Sequence, residues 1–119
     1  MSDKFLKIAT AEINYEISKI QNVLDSCHTS LDVSTNAAKI QKSTHKIKGL
    51  APMMGKEDLG NLASLLDSVL KKIMNGTVPD KIFESLTDAA DEMKNSMTTS
   101  DYNLDEIKQR ISKISSTLS

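Results

Sequence analysis

The sequence predicts an all-α fold: an antiparallel, up-and-down four-helix bundle with an additional C-terminal fifth helix, expected as one domain over residues 1–119. Three observations carry this expectation. Apolar residues recur at three- and four-residue spacing along most of the 119 residues, which is the period of an amphipathic helix. Aromatic residues make up 3%, with no Trp, four Gly and two Pro, too few for a chain built from sheets. Short polar breaks divide the pattern into five segments, and short links make consecutive helices antiparallel neighbours crossing at about 20°.

The first helix is expected over 3–27, with Phe5, Ile8, Ile13, Ile17, Ile20, Val23 and Leu24 as its inner stripe. The run His28-Thr29-Ser30-Leu31-Asp32-Val33 breaks the pattern, and the Ser34 hydroxyl is suited to cap a second helix over 34–52. Its inner residues are Ala37, Ile40, Thr44, Ile47 and Ala51, and Pro52 and Gly55 end it. A third helix over 56–75 carries Leu59, Leu62, Leu65, Leu66, Val69, Leu70 and Ile73 and stops at Asn75-Gly76. Pro79 suits the first turn of a fourth helix over 79–98, with Ile82, Phe83, Leu86, Ala89, Ala90, Met93 and Met97 inside. Asn103 and Glu106 have the spacing of a capping box for a fifth helix over 103–118, with Leu104, Ile107, Ile111, Ile114 and Leu118 inside. Met53 and Met54 read as core or gap filler.

Composition excludes several classes of function. Cys27 is the only cysteine, so there is no internal disulfide, and without a Cys/His cluster there is no structural zinc. The net charge is −1 and Arg110 is the only arginine, which argues against nucleic-acid binding. No stretch approaches the roughly eighteen apolar residues of a membrane span, and Met1 to Ala11 lacks a signal-peptide layout. A cytoplasmic chain with no membrane insertion is expected.

The chemistry concentrates in Thr44-His45-Lys46-Ile47-Lys48-Gly49-Leu50-Ala51. On a helix, His45, Lys48 and Gly49 share one face beside the inner stripe. A neutral imidazole, with an ordinary pKa of about 6.5, offers a nucleophilic nitrogen at pH 7. Its phosphorylated form is a reactive phosphoryl donor. Lys48 places a cation where that phosphoryl group would carry its charge, and Gln41 is a polar neighbour one turn away. A mid-helix glycine costs about 1 kcal/mol relative to Ala, so Gly49 needs a reason: steric clearance for a partner, or close helix packing. No phosphate-binding loop, metal-ligand set or Ser/His/Asp triad accompanies these residues. Cys27 and His28 read as a pair without catalytic meaning.

His45-Lys46-Ile47-Lys48-Gly49-Leu50-Ala51 followed by Gly55 resembles the HxxKGxA…G signature of histidine-containing phosphotransfer (HPt) domains. Across nearly the whole chain the likeness is greatest to the amino-terminal phosphotransfer domain of the chemotaxis histidine kinase CheA, and residues 49–55 look like the archaeal version of it. The resemblance implies that His45 is the phosphorylation site, with Lys48 in electrostatic support and Gly49 giving clearance. It implies as partners the catalytic domain of a histidine kinase and a CheY-like response-regulator receiver domain. ATP and magnesium then belong to those partners, this chain binds no cofactor or metal, and the isolated domain is a monomer. In the bacterial family members a glutamate on the third helix orients the imidazole; its counterpart here is Asp67, one methylene shorter, and a second histidine of that network is replaced by Ser64. The alternative expectation is a non-catalytic helical adaptor that binds a receiver domain without phosphotransfer.

Overall fold

The computed structural model describes residues 2–118; Met1 and Ser119, the ends of the expected 1–119 domain, lie outside the described residues. The described residues form five α-helices: α1 (Asp3–Asp25), α2 (Ser30–Leu50), α3 (Glu57–Met74), α4 (Ile82–Thr98) and α5 (Asp105–Thr117).

In α1 the Ser2 hydroxyl accepts a hydrogen bond from the Phe5 amide at 3.1 Å, capping the first turn. Ile13, Ile17, Ile20 and Leu24 are buried as expected, but Ile8 is 60% exposed and Ala9 takes the core position. The reason is phase: Ala9 stands one turn (four residues) before Ile13, whereas Ile8 is rotated by about 140° from it.

Helix α2 starts at Ser30, four residues earlier than Ser34. Thr29 is the N-cap: its hydroxyl accepts from the Asp32 amide at 3.2 Å, while the Asp32 carboxylate accepts from the amides of Thr29 at 3.2 Å and His28 at 2.8 Å. This reciprocal cap outcompetes a simple Ser34 cap. The inner residues Ala37, Ile40, Thr44, Ile47 and Ala51 are all buried.

A single 3₁₀ turn, Pro52–Met54, leads to Gly55 in the left-handed region, φ 80°. Tight winding sends Met53 and Met54 in different directions, so Met54 is buried and Met53, expected to fill the core, is 61% exposed. The corner is also held sterically. A Cβ placed on Gly60 would lie 2.7 Å from the Pro52 ring, so the ring occupies the space of the missing side chain.

The later boundaries differ from expectation in two places. Pro79 does not open α4, because Lys81 is left-handed at φ 57° and helical geometry begins only at Ile82. Asn103 and Glu106 form no capping box: the Asn103 side chain instead accepts from the Asp105 amide at 2.8 Å, a local Asx turn two residues on.

The inward faces of all five helices meet in one hydrophobic cluster. Helix α2 packs between α1 and α3, and α4 packs on α1. The fifth helix contacts both α3 and α4, contributing Ile107 and Ile111 to the core. Polar links tie it down: Lys108 to Asp58 at 3.0 Å, the Lys72 ammonium to the Ser115 carbonyl at 3.0 Å, and Arg110 to Asp88 at 2.9 Å. Among the described residues no helix is long and apolar enough to cross a membrane.

Candidate functional site

The phase of α2 places His45 just off its buried stripe, on the side facing α3. Ile40, Thr44 and Ile47 are in the core, whereas the His45 side chain is 63% exposed. Beneath it lies Asp67 of α3, a residue 1% exposed. Its carboxylate accepts a hydrogen bond from the Gln41 amide nitrogen at 2.6 Å. The ammonium groups of Lys71 and Lys48 stand 3.1 and 3.6 Å from it. The His45 Nδ1 is 3.8 Å from Asp67 Oδ1.

These distances define what Asp67 is able to do. Burial alone pushes its carboxyl pKa up, but the Gln41 hydrogen bond and the Lys71 ammonium, with Lys48 behind them, outweigh burial and hold it below the ordinary carboxylate range. It is therefore ionised at neutral pH. At 3.8 Å it is beyond direct hydrogen-bond reach of the ring. Its negative charge still favours a proton on the near nitrogen, Nδ1. That leaves the Nε2 lone pair as the nucleophilic position of the neutral ring.

Gln41, His45, Lys48 and Asp67 are thus brought together. Ser64, one turn before Asp67, is half-buried and makes no hydrogen bond to the others among the described residues. Gly49 is exposed, and a Cβ there would meet nothing within 4 Å. Close helix packing is thereby excluded as its reason. Cys27 is buried, with its thiol pushed up mainly by burial, which makes it unreactive; His28 is exposed and engages Asp32 only through its backbone.

Sequence reasoning missed two residues. Lys71 is the nearest cation to Asp67, and its signal was the four-residue spacing between them. Glu16 of α1 is 1% exposed on the other flank of α2, with Lys19 at 3.2 Å and Lys46 at 3.5 Å. Neither of its oxygens receives a well-directed hydrogen bond. Burial raises its pKa, but the Ser43 hydroxyl and the two lysines outweigh that and hold it below its ordinary value. Its signal lay in Ile13, Glu16, Ile17 and Ile20, which put a carboxylate at a core position of an apolar stripe. Among the described residues no cluster of His, Cys, Asp and Glu is placed to hold a metal. Comparisons with protein-family models, with curated proteins and with solved structures return no match to this chain.

Proposed function

We propose that this chain is a histidine phosphotransfer domain in which His45 accepts a phosphoryl group from the ATP-binding domain of a histidine kinase and donates it to an aspartate of a response regulator. One observation carries the proposal: an exposed imidazole stands over a buried, ionised carboxylate that is itself held by Gln41, Lys48 and Lys71. In the forward step the Nε2 lone pair attacks the γ-phosphorus of ATP. The N–P bond forms as the P–O bond to ADP breaks, with net release of one proton to solvent. In the second step a carboxylate oxygen of the receiver attacks the same phosphorus, the N–P bond breaks, and the imidazole takes up a proton. Lys48 and Lys71, whose ammonium groups stand 3.6 and 3.1 Å from the carboxylate beneath the ring, are the cations that would offset the charge of the phosphoryl group. ATP, magnesium and the acceptor pocket belong to the partners, and this chain supplies a positioned nucleophile. The chain acts in the cytoplasm, as a monomer.

The helix arrangement belongs to the same proposal. Antiparallel α1 and α2 are supported by Glu16 meeting Lys46 while Cys27 meets Asn36, and antiparallel α2 and α3 by Pro52 meeting Gly60 while Gln41 meets Asp67. The pairs Asp58–Lys108 and Lys72–Ser115 support α5 running parallel to α3, as the fifth helix added to an up-and-down set.

The test is direct chemical phosphorylation. Incubation with phosphoramidate, and separately with ATP and the cognate kinase, is expected to add one phosphoryl group by intact mass. That group should be lost in acid and absent in His45→Gln. Label that is acid-stable, or that persists in His45→Gln, overturns the proposal; an adaptor would take up no label and would bind a receiver equally well with Gln at position 45.

A further inference from the structure

We infer that the groove between α1 and α2, bordered by Lys19, Lys39, Lys42 and Lys46, is a docking site for an acidic segment of the protein that exchanges phosphoryl groups with His45. The identity of that protein rests on the phosphotransfer proposal; the chemistry of the groove does not. Helix α2 carries Lys39, Lys42, Lys46 and Lys48 against Asp32, in a chain of net charge −1. Positive charge is therefore concentrated here, while α4 carries Glu84, Asp88, Asp91 and Glu92 against Lys94.

The groove is built rather than being a run of solvated lysines. Behind its lysines, Glu16, which lines neither of the groove's two hollows, is 1% exposed and lacks a well-directed hydrogen bond to either oxygen. Burial by itself disfavours this carboxylate, a cost offset by the ammonium groups of Lys19 and Lys46, which it holds at 3.2 and 3.5 Å. Lys39 and Lys42 have no ion-pair partner among the described residues, so the groove keeps an excess of positive charge.

Two adjoining hollows of about 310 and 330 Å³ share Lys19 and Lys42, and the first also reaches His45. From Lys46 to Lys39 the row of cations spans about 10 Å along the helix. That length matches successive carboxylates on a peptide segment better than one tetrahedral phosphate. Val23 and the lysine stems give the second hollow apolar walls, which suits a segment with aliphatic as well as acidic side chains. A partner seated in the second hollow is held beside His45, which lines only the first, and Gly49, on the same side of α2, leaves its approach open.

The experiment uses the full chain and the variant Lys39→Glu/Lys42→Glu, whose residues make no hydrogen bond or ion pair with His45, Gln41 or Asp67 among the described residues. Two-dimensional amide NMR with a synthetic glutamate-rich peptide is expected to move resonances along α1 and α2 in the native chain, and to leave them in place in the variant. This arm needs no phosphoryl group, so it stands whether or not His45 is phosphorylated. In the second arm, both chains are phosphorylated with phosphoramidate and mixed with the cognate receiver domain. The variant is expected to take up phosphoryl from phosphoramidate within about twofold of the native rate but to lose about tenfold in kcat/KM for transfer. Its rate should also lose most of its dependence on salt between about 50 and about 500 mM. Lys94→Glu/Lys113→Glu, away from the groove, is the charge-matched control. Equal losses in both variants, an unchanged salt dependence, or shifts produced by pyrophosphate and not by the peptide each overturn the inference.

Discussion

Asp67 and Glu16 flank α2 from opposite sides, each almost out of water and each facing two lysines, yet only Asp67 receives a directed hydrogen bond, from Gln41 at 2.6 Å. That bond fixes the Asp67 carboxylate at a set distance from a ring nitrogen. Glu16 has ammonium groups on flexible stems as its ion-pair partners, so its lysines are gathered rather than aligned. In the roles proposed for them, a carboxylate that orients a single ring nitrogen needs direction, whereas one that maintains a patch of positive charge needs only proximity.

The largest expected separation between the two flanks is kinetic. Asp67→Asn keeps the shape but removes the charge that favours a proton on Nδ1. Phosphorylation of His45 by phosphoramidate should slow roughly tenfold, about 1.4 kcal/mol of activation free energy, while Glu16→Gln should stay within about twofold. Equal slowing in both variants would erase the distinction.

Acid provides the next test. Both carboxyls are held below their ordinary values, so each contributes stability that is present above its unfolded pKa of about 4 and is lost as pH falls through its lower folded pKa. Urea unfolding from about pH 5 to about pH 2 should show falling stability in the native chain, with a shallower fall in both Asp67→Asn and Glu16→Gln. An unchanged slope in either variant would show that its carboxylate is not held as described.

A smaller effect is expected at Gly49. Because a Cβ there meets nothing, Gly49→Ala should raise stability by about 0.5–1 kcal/mol. Transfer to a protein partner should slow, while reaction with phosphoramidate should not. The smallest change is the stability of Glu16→Gln at neutral pH, expected within about 0.5 kcal/mol of native, since a neutral isostere removes both a buried charge and its ion pairs. Thermal or urea melts check both.

The stripe Ala37, Ile40, Thr44, Ile47 and Ala51 was legible in the sequence because helical period alone determines which side of α2 turns inward, and with it the exposure of His45. Ile8 was misplaced because an apolar residue next to a stripe is hard to tell from a member of it until the helix phase is fixed by its neighbours. The starts of α2 and α4 were set by a two-way cap at Thr29 and a left-handed Lys81, local details that compete with equally plausible signals at Ser34 and Pro79. Lys71 and Glu16 entered the site through the pairing of helices. Sequence spacing places a residue on a face, but which face meets which is decided by the whole core.

The Pro52 ring lodged against Gly60 acts as an axial stop between α2 and α3. Sliding one helix by a single residue would displace His45 from Asp67 by about 1.5 Å, enough to turn a 3.8 Å approach into a different chemical relationship. The corner farthest along α2 from the capped end therefore sets the height of the imidazole above its carboxylate, and a substitution at Gly60 would be felt about two turns away as a change in nucleophilicity.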